Sequence, residues 1–213
     1  MKLYGYFRSS AAFRVRIALN LKNLPYEAAS IHLQKGEQTQ PEFLGVNPQG
    51  LVPALVDGNA AMIQSLAIIE YLDEVYPDPP LLPDNAPGRA RVRSLAQIVA
   101  CDIHPINNLR VLRYLRHRLG AEDAAIATWY NHWIAAGFAA LERLLVGDPR
   151  SGAFCHGGTP GLADIALVPQ IVNAQRYRLD LGPYPTITGI YERCMALDAF
   201  AAAHPDRQPD RDV

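Results

Sequence analysis

Tyr6-Phe7-Arg8-Ser9-Ser10-Ala11-Ala12-Phe13-Arg14-Val15-Arg16-Ile17-Ala18-Leu19 is the stretch in which a strand gives way to a helix. Lys2 to Phe7 carries little charge and is rich in aromatic residues, as strands prefer. From Ala11 the period changes. Ala11, Val15, Ala18 and Leu19 recur at i, i+4, i+7 and i+8, which is one face of a helix running to about Leu21. Ser9 or Ser10 is then its N-cap. A helix N-terminus offers unpaired N–H groups and a partial positive charge, so it favours an anion. Taken alone, the pattern requires no more than a capped helix; the surrounding chain has to decide whether it is also a site.

Working outward, Glu27 to Leu33 reads as a second strand, which completes a parallel strand–helix–strand unit. Gln34 to Phe43 is polar and reads as a mobile loop entering a short helix. Leu51 to Val56 is a third strand, although Pro53 cannot donate to a ladder. Asp57-Gly58 signals a hairpin into an antiparallel strand over 61–63. Gln64-Ser65 then caps a helix whose Ile68, Ile69, Leu72 and Val75 form one apolar face. This is a small α/β sandwich with a mixed four-stranded sheet. Pro77, Pro79, Pro80 and Pro83 mark a linker, and everything after it reads as helical. The long periodic stretch 89–119 contains Pro105, which should kink or divide it near Asp102 to His104. Further helices are expected over 122–145, after Thr159-Pro160-Gly161-Leu162-Ala163-Asp164, and over 183–197, with a frayed tail from His204. The fold class is therefore α/β followed by all-α, with domains at 1–79 and 88–213 joined by a linker at 80–87.

Composition narrows the function. The chain has 213 residues, 49% of them hydrophobic, and a formal net charge of −1. That balance suits a globular protein and argues for neither nucleic acid nor a membrane surface as partner. No apolar run reaches the roughly 18 residues a spanning helix needs. Cys101, Cys155 and Cys194 are far apart and odd in number, which points to buried thiols in a reducing cytoplasm. The histidine spacings predict no metal site.

Val52-Pro53, Gln64-Ser65 and an all-helical second half, arranged behind the opening serines, resemble the cytosolic glutathione transferase family. Ser9-Ser10 followed by Arg14-Val15-Arg16-Ile17-Ala18-Leu19 resembles the signature of its zeta class, the maleylacetoacetate isomerases. The run Cys101-Asp102-Ile103-His104-Pro105-Ile106-Asn107-Asn108 is similar to that of the bacterial maleylpyruvate isomerases. The resemblance covers essentially the whole chain. It departs at Ala11, where the class has cysteine, so any thiol chemistry must come from glutathione. It departs again at Gly161, where Ser or Thr is usual; only the Asp164 half of that capping box remains.

The resemblance implies a thioredoxin-like N-terminal sandwich, a helical bundle domain, glutathione as cofactor and a homodimer. Its implied site is explicit. Ser9 donates to the sulfur, with Ser10 and the Ala11 backbone lining the same pocket. Val52, before a cis Pro53, pairs its backbone with the cysteinyl unit. Gln64 and Ser65 hold the γ-glutamyl carboxylate at a helix start, and Gln49 and Gln38 reach the glycyl end. Asp102 acts across the dimer, His104 contacts glutathione and Asn108 faces the sulfur end. Arg8, Arg110 and Arg176 bind the carboxylates of a small dicarboxylic keto acid. The bland alternatives are a proline at a strand start, a solvated polar face over 102–108 and ordinary surface arginines. The implied reaction is glutathione-dependent cis–trans isomerisation of maleylacetoacetate or maleylpyruvate, in aromatic-compound catabolism. The alternatives are a transferase that conjugates or dehalogenates small electrophilic acids, and a non-enzymatic binding module. The module would lack the serine pair or the Gln-Ser pair, and both are present.

Overall fold

The computed structural model describes residues 1–211. By their contacts these form two compact units, 1–81 together with 195–211, and 82–194. The last segment thus joins the first unit, whereas the sequence reading assigns it to the helical domain.

The first unit begins with β1 (Lys2–Gly5), α1 (Ser10–Leu21) and β2 (Glu27–Ser30). A 3-10 turn (Glu37–Thr39) and the short α2 (Pro41–Leu44) precede β3 (Ala54–Asp57), β4 (Ala60–Ile63) and α3 (Ser65–Val75). The sheet order is β2-β1-β3-β4. β1 and β2 are parallel, with Leu3 opposite Ala28; β3 runs antiparallel to both neighbours, with Leu55 opposite Leu3 and Met62. This is the mixed sheet expected. β2 and β3 are shorter than the strands expected over 27–33 and 51–56, and residues 51–53 stay outside the ladder, where Pro53 has no N–H to give. Gly58 turns the β3–β4 hairpin at φ +57°, a conformation that favours glycine.

The core of this unit is α1 and α3 against the sheet: Phe13, Val15, Ile17, Leu19, Leu55, Ile68, Ile69 and Leu72 are all at most 1% exposed. Val75 is a correction, since it lies 48% exposed at the end of α3 and off the buried face. The loop at 31–40 is also tighter than its polarity suggests. Glu37 accepts from the His32 N–H at 2.6 Å, and the Thr39 hydroxyl donates to the Gly36 carbonyl at 2.7 Å. Lys22 ends α1 by donating to Asp73 and to the carbonyls of Tyr76 and Pro79, which secures the start of the proline-rich segment.

The C-terminal segment contributes α9 (Asp198–Ala203) and a 3-10 turn (Pro205–Arg207). α9 lies along α1, where Asn20 Nδ2 donates to the Ala199 carbonyl at 2.9 Å. The tail expected to fray is instead bonded out to Arg211, whose N–H donates to the Gln208 carbonyl. Its polarity reflects hydrogen bonding to the first unit.

The second unit holds α4 (Ala86–Gln97), a π-helical turn (Ile98–Ile103), α5 (Leu109–Leu119), α6 (Asp123–Leu145), α7 (Leu162–Arg176) and α8 (Pro185–Met195). The stretch carrying Pro105 is divided, as its proline predicts. The division spreads over the π turn and a loop at 104–108. Gly137 of α6 explains where the π turn seats: a Cβ there would lie 2.2 Å from Ile103 Cδ1. α7, almost wholly buried, packs on α4 as the centre of the unit. Among the described residues no helix is long and apolar enough to cross a membrane, and no cluster of His, Cys, Asp or Glu could hold a metal ion.

Candidate active site

The β1–α1 junction resolves which serine caps. Ser9 is the N-cap, in extended conformation, and its Oγ accepts from the Ala12 N–H at 3.2 Å. Ser10 is the first helical residue and is 7% exposed, and Ala11 behind it is 8% exposed. A hydroxyl whose oxygen already accepts a helix N–H keeps its own proton to give away. Ser9 therefore presents a donor beside the positive end of a helix. Arg8, next to it, is exposed, and its charge favours ionisation of the nearby Tyr6 phenol, while burial of that phenol, the larger effect, raises its pKa.

Three further stretches of the same unit carry sequence-predicted residues. The Val52–Pro53 bond is cis, and Val52 is half-buried. Gln64, at the start of α3, has φ +71°, an outlier for a side-chain-bearing residue that costs about 1–3 kcal/mol and points to a functional position. Its Nε2 donates to Gln49 Oε1 at 2.9 Å, so these two predicted residues are brought together. Gln38 is only 8% exposed, contrary to the mobile loop expected for it, and its buried Oε1 has no protein partner. Its backbone lies against the 47–51 turn, close enough that a Cβ at Gly50 would meet the Gln38 carbonyl at 3.0 Å.

The sequence-predicted site residues include neither Arg14 nor Arg16. Arg14, 1% exposed, donates from Nη1 to Ser65 Oγ at 3.3 Å and so places a buried guanidinium at the N-terminus of α3. Two arginines inside an otherwise apolar helix were the available signal.

In the second unit Asp102 is exposed at the end of the π turn and His104 follows it, half-buried. Asn108 caps α5, its Oδ1 accepting from the Arg110 N–H at 3.1 Å. Arg110 is exposed one residue into α5, and Arg176 is exposed at the end of α7. α6 ties these two places together. Asn107 Nδ2 donates to the Tyr130 carbonyl at 3.0 Å, and the Tyr130 ring stacks on Tyr177 at 3.6 Å. The Arg176 guanidinium lies 5.4 Å from the Tyr177 ring centre. Asn107, Tyr130 and Tyr177 carried no sequence signal for this role.

Neither buried cysteine competes as nucleophile. Burial and the Asp164 carboxylate push the Cys155 thiol well up, and burial does the same to Cys194. Cys101 is exposed, which corrects the expectation that all three thiols are buried.

Known proteins match this arrangement. Residues 3–80 match the model of the glutathione S-transferase N-terminal domain, and residues 123–203 that of its C-terminal domain. The maleylpyruvate isomerase of a Ralstonia species is 55% identical, over 99% of both chains. This chain is a zeta-class glutathione S-transferase. Among solved structures, a holo maleylpyruvate isomerase described as a zeta-class bacterial glutathione S-transferase superposes with a TM-score of 0.97, at 55% identity over 99% of each chain. A maleylacetoacetate isomerase of Methylobacterium extorquens AM1, solved with malonate and glutathione bound, gives a TM-score of 0.96 at 45% identity over 98% of each chain. Within this glutathione S-transferase, the junction at Ser9 is the point where the class signature and the helix N-terminus coincide.

Proposed function

We propose that this transferase is a glutathione-dependent cis–trans isomerase of a maleyl keto acid, either maleylpyruvate or the longer maleylacetoacetate. The observation that carries the reading is Ser9: a hydroxyl with its oxygen engaged by Ala12 N–H and its proton free, at a helix N-terminus, beside an exposed arginine. The residues present fit glutathione. Gln38 keeps a buried acceptor for a ligand N–H, and the α3 N-terminus, with Arg14 behind Ser65, offers a place for a carboxylate. Bound glutathione would supply a thiolate whose addition makes the maleyl double bond a single bond free to rotate and whose elimination restores the double bond in the trans form and the thiolate with it. The protein's own part is to hold charge. Ser9 donates to the sulfur, with Ser10 and the Ala11 backbone beside it. Val52 offers its backbone N–H and C=O, and Gln64, Ser65, Gln49 and Gln38 hold the two ends of the tripeptide. Arg8, Arg110 and Arg176 bind substrate carboxylates, and the malonate of the Methylobacterium relative has the same dicarboxylate chemistry. His104 and Asn108 contact glutathione in this reading, and Asp102 serves the ligand of a second chain in a cytoplasmic homodimer, which light scattering tests.

The deciding assay mixes the protein with each maleyl acid, with and without glutathione, and follows the double-bond absorbance. Isomerisation that depends on glutathione without consuming it is the expected result. Consumption of glutathione would favour the conjugating alternative, and no turnover of either acid would sink the proposal. Arg8→Ala should lower kcat/KM for the keto acid roughly 10- to 100-fold, the scale of a lost charge-assisted hydrogen bond, and change the KM for glutathione far less. Equal damage to both would make Arg8 structural.

A further inference from the structure

The loop between β1 and α1 is fixed by groups far away in the chain. The Phe7 N–H donates to Asp210 Oδ2 at 2.9 Å. The Phe7 carbonyl accepts from Arg16 Nη2 at 3.1 Å, and the Tyr6 carbonyl lies 3.5 Å from Arg16 Nη1. Arg16 Nε donates to the Ala203 carbonyl at 3.0 Å, so one buried guanidinium joins this loop to the end of α9. Ser30 Oγ donates to the same Asp210 oxygen at 3.0 Å, which sets the carboxylate over the end of β2. The His204 ring meets Phe13 of α1 edge to face, 5.9 Å between centres. The tail therefore lies along the first unit, and Asp210 holds the Tyr6–Phe7 peptide unit, a short step ahead of Arg8 and Ser9.

We infer that Asp210 is a positioning residue for the Ser9 hydroxyl, and that the C-terminal tail is part of the catalytic apparatus. The inference rests on the reading of Ser9 as the sulfur donor. Within the loop a single backbone bond is local, Ser9 N–H to the Tyr6 carbonyl at 2.9 Å. Ser9 is tied to α1 through the Ala12 and Phe13 N–H groups, but its approach from β1 is set by the loop, and a donor acts on developing charge only when its geometry is fixed in advance. Asp210 accepts the N–H of Phe7, Arg16 binds the carbonyl on either side of that N–H, and together they fix the peptide planes from which Ser9 departs. Asp210 touches neither substrate nor cofactor in this account; it acts through the backbone.

The test uses Asp210→Ala, Asp210→Asn and Ser30→Ala in the full chain. Readouts are kcat, the KM for glutathione, and the pH titration of thiolate absorbance in the glutathione complex. Asp210→Ala should lower kcat about tenfold, as expected of a loosened catalytic group. It should also raise the apparent thiol pKa by about half a unit, because the hydroxyl donor is less well placed. The glutathione KM should move less than about twofold, since the binding contacts elsewhere remain. Asp210→Asn keeps an oxygen for the Phe7 N–H and should restore most of kcat. Ser30→Ala, which leaves the Phe7 bond in place, should stay near wild type. Wild-type kcat and thiol pKa in Asp210→Ala would overturn the inference, and so would an Asn variant as impaired as the Ala variant. An equal loss in Ser30→Ala would also overturn it, by assigning the effect to tail anchoring in general. A wild-type protein that binds glutathione but isomerises neither acid would refute the proposed reaction, while the thiol titration of the variants would still decide the role of Asp210.

Discussion

Ser9→Ala is expected to lower kcat about 100-fold, the usual scale for removing one preorganised donor to developing charge. The Ser9 oxygen accepts the Ala12 N–H, so its proton is directed away from the helix and toward whatever anion sits at the N-terminus. Ala11 removes a protein thiol from this place, and the two buried cysteines hold their protons tightly. Thiolate formation therefore depends on stabilising the sulfur of the cofactor, and Ser9 is the side chain positioned to do so. The same substitution removes an N-cap, at a cost of about 1 kcal/mol in stability. Measuring kcat, the thiol pKa of bound glutathione and the urea midpoint together separates the two effects. Ser9→Thr, which keeps hydroxyl and cap, should retain most of both. A kcat in Ser9→Ala within about threefold of wild type would transfer the donor role elsewhere, with Ser10 next in line.

Asp164→Ala is expected to cost about 3–5 kcal/mol of stability, with both orphaned donors contributing about 1–3 kcal/mol each. The carboxylate is 1% exposed; Oδ1 accepts the Cys155 N–H at 2.8 Å and Oδ2 the Gly161 N–H at 2.9 Å. Gly161 has no side chain to return the favour, so Asp164 alone caps α7 and also holds the loop that carries Cys155. Urea denaturation with unchanged m-value checks the figure. The pH dependence adds a second check. Burial raises the Asp164 pKa above its ordinary value of 3.8, against the pull of its N–H donors. The folded state then binds this proton more tightly than the unfolded state does. The contribution of Asp164 falls as pH rises from 3.8 to its folded pKa and is level above that. The wild-type protein should lose stability relative to the alanine variant across that window. A difference that grows with rising pH would contradict the raised pKa.

What could be read from the chain was local. The change of period after Phe7 marks the strand-to-helix junction, because side-chain periodicity is a property of neighbouring residues. Asp57-Gly58 specifies a hairpin through the φ that glycine allows. Pro105 announces that the helix around it must divide. The cap at Ser9, the proline break after Val52 and the helix start at Gln64-Ser65 were legible because each rests on neighbouring residues. The errors are equally specific. Gln38 looked mobile because its neighbours are polar, yet the fold buries it. The tail from His204 looked frayed because Asp210 finds its partners in the β1–α1 loop and at the end of β2, about two hundred positions back.

That contrast separates the two sources of information. Patterns of period, caps and breakers established a mixed α/β sandwich followed by helices, and the ordered motifs within it pointed to a glutathione site. Those are consequences of short-range sterics and hydrogen bonding, which a sequence carries explicitly. Folding supplied the rest: Arg14 behind Ser65, Arg16 bridging Phe7 and Ala203, Asp210 on the Phe7 N–H, and Tyr130 between Asn107 and Tyr177. Each of these joins groups that chain order does not place side by side, and buried polar groups pair with whatever the packed core brings within about 3 Å.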